Sequence, residues 1–282
     1  MSTASPASFA HLVSSLGTWL AHAHAHGARV IGINGAQGSG KSTLATALIA
    51  ELAARHALHA AVLALDDMYL PRAQRLALAR TVHPLLATRG VPGTHEVALG
   101  AHLLQQLVQL GHGARCPVPR FLKLDDDRAP RAQWHVVTGP VDLVLFEGWC
   151  VATPPQSNSE LVTPVNTLEA QEDRDGRWRR WVNGQLAHPY AKLFARLDRL
   201  LFLAAPDFNC VLRWRLEQEA TTAKREHGVA MTRAAVQRFI AHYERLTRHA
   251  FACLPKRANV VVRLDRQRAC HALELRGDEK PV

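Results

Sequence analysis

A glycine-rich stretch followed by a lysine and two hydroxyl residues carries the clearest chemical signature in the sequence. The stretch fits the pattern G-x-x-x-x-G-K-[ST] and lies between an apolar run and an amphipathic stretch. Glycines let backbone N–H groups turn toward phosphates, and a helix N-terminus adds partial positive charge. Lys41 is expected to reach the β- and γ-phosphates, and Ser42 to ligate Mg²⁺. This predicted phosphate loop comprises Gly35, Ala36, Gln37, Gly38, Ser39, Gly40, Lys41, Ser42 and Thr43.

Carboxylates follow two further apolar runs of the chain. Asp66 and Asp67 come after the run Ala61–Leu65, and Glu147 comes after the run Val141–Phe146. The carboxyl ends of parallel strands meet at one edge of a sheet, so we expect these side chains beside the phosphate loop. Asp66 is predicted to take the proton of an acceptor hydroxyl, and Glu147 to hold Mg²⁺ or its waters. The alternatives are a helix cap or turn for the aspartates and a structural role for Glu147.

The segment His83–Glu96, which we call the acceptor loop, combines proline, glycine and hydroxyl residues just before a predicted helix. Such a loop can clamp an anion, and Arg89 is its strongest candidate ligand. The alternatives are that Arg89 is solvated and that Thr94 serves only as the helix N-cap.

A second group of charges follows a short proline-bounded extended piece, Cys116–Phe121. Arg120 and Lys123 could neutralise a substrate carboxylate, whereas the run Asp125–Asp127 is typical of a solvated turn. The predicted substrate ligands are therefore Arg89, Thr94, His95, Arg120 and Lys123.

A helix that begins near Asp207 carries Arg213 and Arg215 around Trp214. An arginine here could close over the phosphates and neutralise the charge that develops during transfer. Arg213 is expected to contact the nucleotide and Arg215 to act in catalysis. Residues two apart on a helix point in different directions, so we expect one of the two to face the phosphates.

Short leucine-rich or β-branched runs alternate with longer amphipathic stretches, which predicts an α/β fold. We expect a three-layer α/β/α sandwich with a mostly parallel, doubly wound sheet. The predicted strands are Val30–Asn34, Ala61–Asp66, Val141–Phe146, Leu200–Ala204, Asn259–Leu264 and Ala269–Leu275. The predicted helices are an N-terminal one within residues 1–27 that begins at Ser5, then Ser42–His56, His95–Leu110, Gly184–Leu197, Phe208–His227 and Thr232–Ala250. We expect one domain over residues 1–282, with insertions at 71–95 and 153–183 where function is expected.

Charge and composition bound the classes of partner. The chain has 34 lysines and arginines against 24 aspartates and glutamates, so its net charge of +10 favours anionic partners. No apolar run reaches the ~20 residues of a membrane span, so a soluble protein is expected. Five cysteines without C-x-x-C spacing or a signal peptide predict reduced thiols and a cytoplasmic location. In the string Arg177–Trp181, arginines alternate with tryptophans, a pattern that can bind single-stranded nucleic acid. One short patch of this kind does not favour nucleic-acid binding.

These strings together resemble the P-loop kinases of the D-glycerate 3-kinase type, which are relatives of phosphoribulokinase, uridine kinase and pantothenate kinase. The resemblance covers nearly all of Val30–Leu275 and rests on Gly35–Ser42, Leu65–Tyr69, Thr88–His95, Pro119–Phe121, Phe146–Trp149, Asn166–Asn183 and Trp214–Glu219. It implies ATP and Mg²⁺ as cosubstrates, Asp66 as the base and glycerate as the acceptor, with 3-phosphoglycerate as product. The guanine-reading string N-K-x-D is absent, which favours a kinase over a GTPase.

One departure from the family pattern bears on the acceptor. Leu122 stands where the family usually carries an aspartate. A kinase for a nucleoside, pantothenate or a phosphosugar would keep the same mechanism with another acceptor. A noncatalytic ATP-binding regulatory protein is the second alternative.

Overall fold

Within the described residues, ten strands form one large sheet and two small ones. The computed structural model describes residues 8–225 and 231–276. The strands are β1 Val30–Gly35, β2 Ala60–Ala64, β3 Arg115–Val118, β4 Phe121–Leu122, β5 Asp127–Arg128, β6 His135–Thr138, β7 Leu143–Gly148, β8 Arg199–Ala204, β9 Val260–Leu264 and β10 Cys270–Leu275. The large sheet has six strands in the order β10-β9-β8-β1-β7-β2, and only β10 runs antiparallel to its neighbour. The predicted α/β class with a mostly parallel sheet is confirmed.

Nine α-helices lie within the described ranges and connect or flank the strands. They are α1 Phe9–Ala25, α2 Lys41–His56, α3 Arg72–Thr81, α4 Val97–Val108, α5 Thr167–Glu172, α6 Arg177–Gln185, α7 Ala191–Phe194, α8 Phe208–Arg225 and α9 Arg233–Arg257. A π-helical turn over Leu186–Tyr190 joins α6 to α7, and a 3₁₀ turn over Leu65–Met68 follows β2.

The central strands are buried along their whole length because helices cover both faces of the sheet. Successive side chains of a strand point to opposite faces, and β7 shows this directly. Leu143 and Leu145 pack into the core with α1 and α2, whereas Val144 and Phe146 pack into the core with α4 and α7. These strands therefore read as continuous apolar runs rather than as alternating patterns.

Parallel registers bring the carboxyl ends of β1, β7 and β2 to one edge. Asn34 of β1 lies opposite Gly148, and Ala64 of β2 lies opposite Glu147. Buried Asn34 also donates from Nδ2 to the Val151 carbonyl at 2.6 Å, which fixes the chain just after β7. The segments that follow these three strands are consequently neighbours.

Several predicted boundaries are wrong, each for a local reason. The predicted helix over 184–197 begins earlier, at Arg177, and is interrupted by the turn that contains Pro189, which cannot donate a helical hydrogen bond. The predicted start of α4 at His95 moves to Val97, because the acceptor loop continues through an isolated bridge between Tyr69 and His95. The segment 71–95, predicted as an insertion, contains α3.

The remaining differences concern the helix ends. The first helix begins at Phe9, where the Ser8 side chain accepts a hydrogen bond from the His11 amide. The predicted ends at Ser5 and His227 lie outside the described residues. The last helix runs past its predicted end at 250 to Arg257.

Candidate active site

The phosphate loop turns between β1 and α2 through two glycines in left-handed conformation. Gly38 has φ 75° and Gly40 has φ 89°, values that side chains with a Cβ rarely adopt. A Cβ at Gly38 would lie 2.8 Å from the Trp214 Cβ and 2.9 Å from its backbone carbon. The loop thus needs glycine both for its turn and for the close approach of α8.

Buried polar groups inside this loop fit bound phosphate. The Lys41 ammonium is buried and donates to the Ala36 carbonyl at 3.1 Å. Burial lowers the pKa of Lys41, and the nearby charges of Glu147 and Asp66 oppose that effect. The Ser39 hydroxyl is buried and has no hydrogen-bond partner among the described residues. A buried cation and an unpaired hydroxyl beside a helix N-terminus are suited to an anionic ligand.

The predicted metal position is formed by Ser42 and Glu147. The Ser42 hydroxyl, in the first turn of α2, donates to Glu147 Oε1 at the end of β7 over 2.7 Å. Oxygen ligands suit Mg²⁺, which keeps several waters and is usually shared with substrate phosphates. Among the residues that the structure describes, no three His, Cys, Asp or Glu side chains are grouped to hold a metal alone. The residues fit a magnesium ion held jointly with a nucleotide.

Asp66 lies between two lysines in the turn after β2. Its Oδ2 atom is 3.5 Å from the Lys123 ammonium, and its Oδ1 atom accepts the Tyr69 hydroxyl at 2.9 Å. Burial favours the neutral acid, but the charges of Lys123 and Lys41 outweigh this effect and lower the pKa of Asp66. Asp66 is therefore a carboxylate that is ready to accept a hydrogen bond from a hydroxyl.

The adjacent Asp67 serves a different purpose. Its Oδ1 atom accepts the Phe121 amide at 2.9 Å and so fixes the β4–β5 hairpin to the turn after β2. Burial raises the pKa of Asp67. Neither aspartate acts as a simple helix cap, and only Asp66 has nearby cations on both sides.

Arg89 is held by a carboxylate that sequence reasoning assigned to solvent. Asp126 receives Arg89 Nη1 on Oδ1 and Arg75 Nη2 on Oδ2, the second at 2.9 Å. Fully buried Arg75 also donates to the Ala87 carbonyl at 2.8 Å, which fixes the start of the acceptor loop. The prediction that Asp125–Asp127 is only a solvated turn is wrong, because Asp126 pairs with the fully buried Arg75 and the half-buried Arg89.

The acceptor loop is shaped by contacts that occupy Thr94. This residue is fully buried, and its hydroxyl accepts the Gly90 amide at 3.0 Å and donates to the Val91 carbonyl at 2.7 Å. These contacts hold the loop turn, and the role of Thr94 as a substrate ligand stays a prediction. A Cβ at Gly90, where φ is 138°, would lie 2.0 Å from the Tyr243 hydroxyl oxygen.

His95 lies next to this turn and close to Asp66. Its ring stacks on Tyr69 with centroids 4.4 Å apart, and its Nδ1 atom is 2.6 Å from the Tyr190 hydroxyl. Burial lowers the pKa of His95 to about 3, so the ring is neutral at physiological pH.

The other predicted substrate ligands lie at the hairpin. Lys123, at 52% side-chain exposure, contacts Asp66 as described above. Arg120 is exposed, and its backbone carbonyl accepts the Ala129 amide at 2.8 Å. Leu122 pairs with Asp127 across the β4–β5 ladder and is half-buried. Lys123 is therefore close to Asp66, whereas no contact in the described structure joins the Arg120 side chain to the site.

Arg213 and Arg215 diverge, as their spacing predicts. Arg213 donates to the Arg266 carbonyl in the turn between β9 and β10. Arg215 pairs with Glu219 at 2.7 Å and lies 5.4 Å from the centroid of the Phe239 ring. The same ring lies 5.8 Å from the Arg89 guanidinium. Arg215 is therefore the arginine of this pair that shares a neighbour with the acceptor loop, whereas Arg213 contacts the turn between β9 and β10.

Helix α9 supplies site residues that sequence reasoning missed. The Tyr243 hydroxyl donates to the Arg89 carbonyl at 3.1 Å. Two residues further on, Arg245 makes a buried bidentate pair with Glu169 at 2.8 and 2.7 Å and so attaches the 153–183 insertion. The inward spacing of Val236, Ile240 and Tyr243 on a helix was the available signal for Tyr243. Nothing local to the sequence pairs Arg245 with Glu169.

The aromatic string of α6 does not form a stacking surface. Trp178 is buried, Trp181 is half-buried, and Arg179 is buried against Asp173 at 3.0 Å. These side chains are therefore part of the fold rather than a platform for nucleic-acid bases. In the described part of the chain, no helix has the length and apolarity to cross a membrane.

Comparison with known proteins places this geometry in a family. The chain is 34% identical over 227 residues to the uncharacterized kinase mug58 of Schizosaccharomyces pombe, a match that covers 76% of this chain and 78% of the relative. It is 32% identical over 223 residues to the chloroplastic D-glycerate 3-kinase of Arabidopsis thaliana, where the match covers 76% of this chain but only 46% of the plant protein.

Similarity also extends to solved structures and to one family model. The D-glycerate 3-kinase from Cryptococcus neoformans superposes with a TM-score of 0.77 at 24% identity, over 94% of this chain and 99% of that one. The YGR205w protein gives a TM-score of 0.71 at 23% identity, over 94% and 96% of the two chains. At these identities both show the fold alone.

The model of the methylmalonyl Co-A mutase-associated GTPase MeaB matches residues 13–71, a segment that contains the phosphate loop. It covers under half of the chain and reflects the shared loop. The chain has the phosphate loop and the carboxylates at the strand ends, and it is 34% identical to a kinase over most of both chains. It therefore belongs to the P-loop kinases of the D-glycerate 3-kinase type.

Proposed function

We propose that this ATP-dependent kinase transfers the γ-phosphoryl group to a hydroxyl of D-glycerate and so forms 3-phosphoglycerate. One observation carries the proposal: Asp66 lies between the phosphate loop and the β4–β5 hairpin, and Lys41 from the first and Lys123 from the second lower its pKa. A carboxylate in that position can accept the proton of a hydroxyl while the phosphoryl group is transferred. The similarity to the plant and fungal D-glycerate 3-kinases supports this choice of acceptor.

The proposed reaction balances without a further reactant. The acceptor hydroxyl oxygen forms a bond to the γ-phosphorus as the bond from that phosphorus to the β,γ-bridging oxygen breaks. ADP leaves with the electron pair of the broken bond, and Asp66 takes the hydroxyl proton. Lys41 and the backbone N–H groups of residues 35–43 hold the phosphates, and Arg215 offsets charge on the transferred group.

Magnesium would be held by Ser42 and Glu147, where it would supply charge neutralisation for the phosphates. The substrate carboxylate would be held on the other side of Asp66 by Arg89 and Lys123. Because Asp126 already pairs with Arg89 Nη1, we propose that the rest of that guanidinium faces the acceptor. Positioning of the two substrates and charge neutralisation supply the rate enhancement.

We also propose that the protein is cytoplasmic and that the chain forms a single domain. All five cysteines are free, and four of them are buried. Reduced thiols of this kind support a cytoplasmic location. The single domain over residues 1–282 also stays part of the proposal.

An ADP-release assay with Mg-ATP and the purified full-length protein tests the proposal. D-glycerate is compared with uridine, pantothenate and ribulose 5-phosphate, and each acceptor is also tested with Asp66→Asn. We expect release that requires D-glycerate and falls about a hundredfold or more in this variant, since a general base contributes on that scale. Asp125→Asn, which changes an exposed carboxylate of the neighbouring β4–β5 hairpin, is the matched control and should retain the parent rate.

The outcomes separate the alternatives. Release with another acceptor alone would replace D-glycerate while keeping the mechanism. Parent-rate turnover by Asp66→Asn would overturn the base assignment. ATP binding without acceptor-dependent release would favour the noncatalytic regulatory protein.

A further inference from the structure

His95 occupies a buried position beside the proposed base, and its hydrogen bonds define which of its ring nitrogens carries the proton. Its side chain is 4% exposed. One face of the ring stacks on Tyr69, and the Tyr190 ring meets it edge-on with centroids 5.8 Å apart. An antiparallel bridge joins the backbones of Tyr69 and His95. The imidazole is therefore fixed against the residue whose hydroxyl contacts Asp66.

The Tyr190 hydroxyl has a defined donor direction. The Gly93 amide donates to the Tyr190 oxygen at 2.9 Å, which uses that oxygen as an acceptor. The hydroxyl has a single hydrogen, and its other partner is His95 Nδ1 at 2.6 Å. Tyr190 then donates to Nδ1, because among the described residues this nitrogen is the one acceptor within hydrogen-bond distance of its single hydrogen, and a backbone N–H cannot accept it. An imidazole that accepts at Nδ1 is neutral and carries its proton on Nε2.

The surroundings of the ring keep it neutral. The groups that face it are the Asp66 carboxylate on the turn after β2, Tyr69 on the same segment and Tyr190 on the π-helical turn. Burial lowers the pKa of His95, and the negative charge of Asp66 only partly opposes this effect. Burial also raises the pKa of Tyr190 well above its usual range, so its hydroxyl keeps the donated hydrogen.

In this tautomer, the Nε2–H group of His95 has no hydrogen-bond acceptor within the described part of the fold. Nε2 is buried and has no hydrogen-bond partner among residues 8–225 and 231–276. Buried polar groups are satisfied in most folded proteins, so an unpaired donor next to a proposed base needs an explanation. A substrate oxygen would provide one.

We propose that Tyr190 is a positioning residue that locks His95 as the neutral Nε2–H tautomer, and that this N–H donates a hydrogen bond to an oxygen of the acceptor substrate. The inference rests on the proposed function, since it assigns a further ligand to that substrate. A neutral donor suits this place, because an imidazolium beside Asp66 would stabilise the ionised carboxylate and make it a weaker base. Recognition through a buried donor favours an acceptor with an oxygen at this position over an analogue that lacks it.

Nitrogen-15 NMR of histidine rings tests the lock without turnover. The spectra of His95→Gln identify the His95 signals among the 16 histidines. We expect the parent protein to show Nε2 protonated and Nδ1 unprotonated at pH 6, and Tyr190→Phe to lose this preference. Phe194→Leu is the matched control, because Phe194 packs edge-on against the same Tyr190 ring at 5.8 Å but makes no hydrogen bond to His95. Nδ1 protonation in the parent, or an unchanged tautomer in Tyr190→Phe, would overturn the lock.

Kinetics test the donation to substrate. With D-glycerate, or with whichever acceptor the ADP-release assay identifies, His95→Leu should raise the acceptor KM about tenfold and leave the ATP KM within about twofold, the scale of one lost hydrogen bond. His95→Gln restores a donor and should recover part of the loss. Thermal melting of each variant checks that it folds.

The two proposals fail in different ways. Turnover with equal acceptor KM values for the parent and His95→Leu would overturn the donation while leaving the kinase assignment intact. A panel in which no acceptor is turned over would remove the proposed function, and the NMR measurement would still decide the tautomer. An unshifted His95 Nε2 signal on addition of acceptor and ADP would also overturn the donation.

Discussion

The nucleotide side and the acceptor side of this site are built in different ways. On the nucleotide side, consecutive residues create the cradle, and Lys41 contacts the Ala36 carbonyl only five positions away. On the acceptor side, Arg89 is held by Asp126, 37 positions further along the chain, and by Tyr243, 154 positions further. Backbone conformation therefore shapes the first side, whereas the second depends on long-range side-chain contacts. Substitutions should consequently separate the two sides.

The largest effect is expected at the pair that attaches the 153–183 insertion to α9. Glu169→Gln leaves the buried Arg245 guanidinium without its carboxylate, and breaking such a pair costs about 3–5 kcal/mol of unfolding free energy. Thermal and urea denaturation measure the loss. The control is Glu172→Gln on the same helix, which removes a surface pair with Arg238 worth at most about 1 kcal/mol. Equal losses in the two variants would contradict the assigned importance of the buried pair.

Two glycine substitutions should separate the sides kinetically. Gly38→Ala forces a Cβ against Trp214, and Gly90→Ala forces one against Tyr243. Each strain is about 1–3 kcal/mol, so we expect a rise of roughly tenfold or more in the ATP KM for the first and in the acceptor KM for the second. Initial-rate kinetics measure both constants. Gly111→Ala is the control, since nothing lies within 4 Å of its added Cβ.

If both glycine variants raised the same KM, the division into two sides would be wrong. The division would also fail if Gly111→Ala raised the ATP KM or the acceptor KM as much as Gly38→Ala or Gly90→Ala does. Retained parent values in all three variants would show that the loops relax around an added methyl group.

The smallest expected effect is a dependence of stability on pH at Asp66, where the two sides meet. Burial opposes ionisation of Asp66, but Lys123 and Lys41 lower its pKa below the usual 3.8. A carboxyl with a lowered folded pKa contributes stability that is present above the unfolded pKa and is lost as pH falls through the folded value.

The stability difference between the parent and Asp66→Asn should therefore be constant from about pH 5 to pH 8 and change only as pH falls below about 4. Urea unfolding across this range measures it. A difference that changed between pH 6 and pH 8 would mean that the pKa of Asp66 is raised rather than lowered.

The same division explains what could be predicted from sequence. The phosphate loop is local, and the strand-end positions of Asp66 and Glu147 follow from parallel topology, so their placement could be inferred before the fold was known. Arg213 and Arg215 diverge because of helical geometry alone. The roles of these residues in binding and catalysis stay predictions.

The acceptor side could be predicted only in outline. The loop was recognisable from composition, but the sequence does not show that the Thr94 hydroxyl is used within the loop or that Asp126 pairs with Arg75 and Arg89. The contacts of Asp126 require the β4–β5 hairpin to fold back on α3. The buried pair of Glu169 and Arg245 joins segments 76 positions apart, a distance at which charge patterns carry no information about pairing.

The length of α9 has a mechanical consequence. Its 25 residues form a rod about 37 Å long that carries Phe239, Tyr243 and Arg245 in sequence. A 10° roll of this rod about its own axis would move side chains at its ~5 Å radius by roughly 1 Å. Phe239 touches Arg215 as well as Arg89, so such a roll would shift the groups around both substrates together. Misplacement of reacting groups by about 1 Å can reduce a rate on the order of a hundredfold. The orientation of this one helix about its axis would therefore affect the rate of phosphoryl transfer.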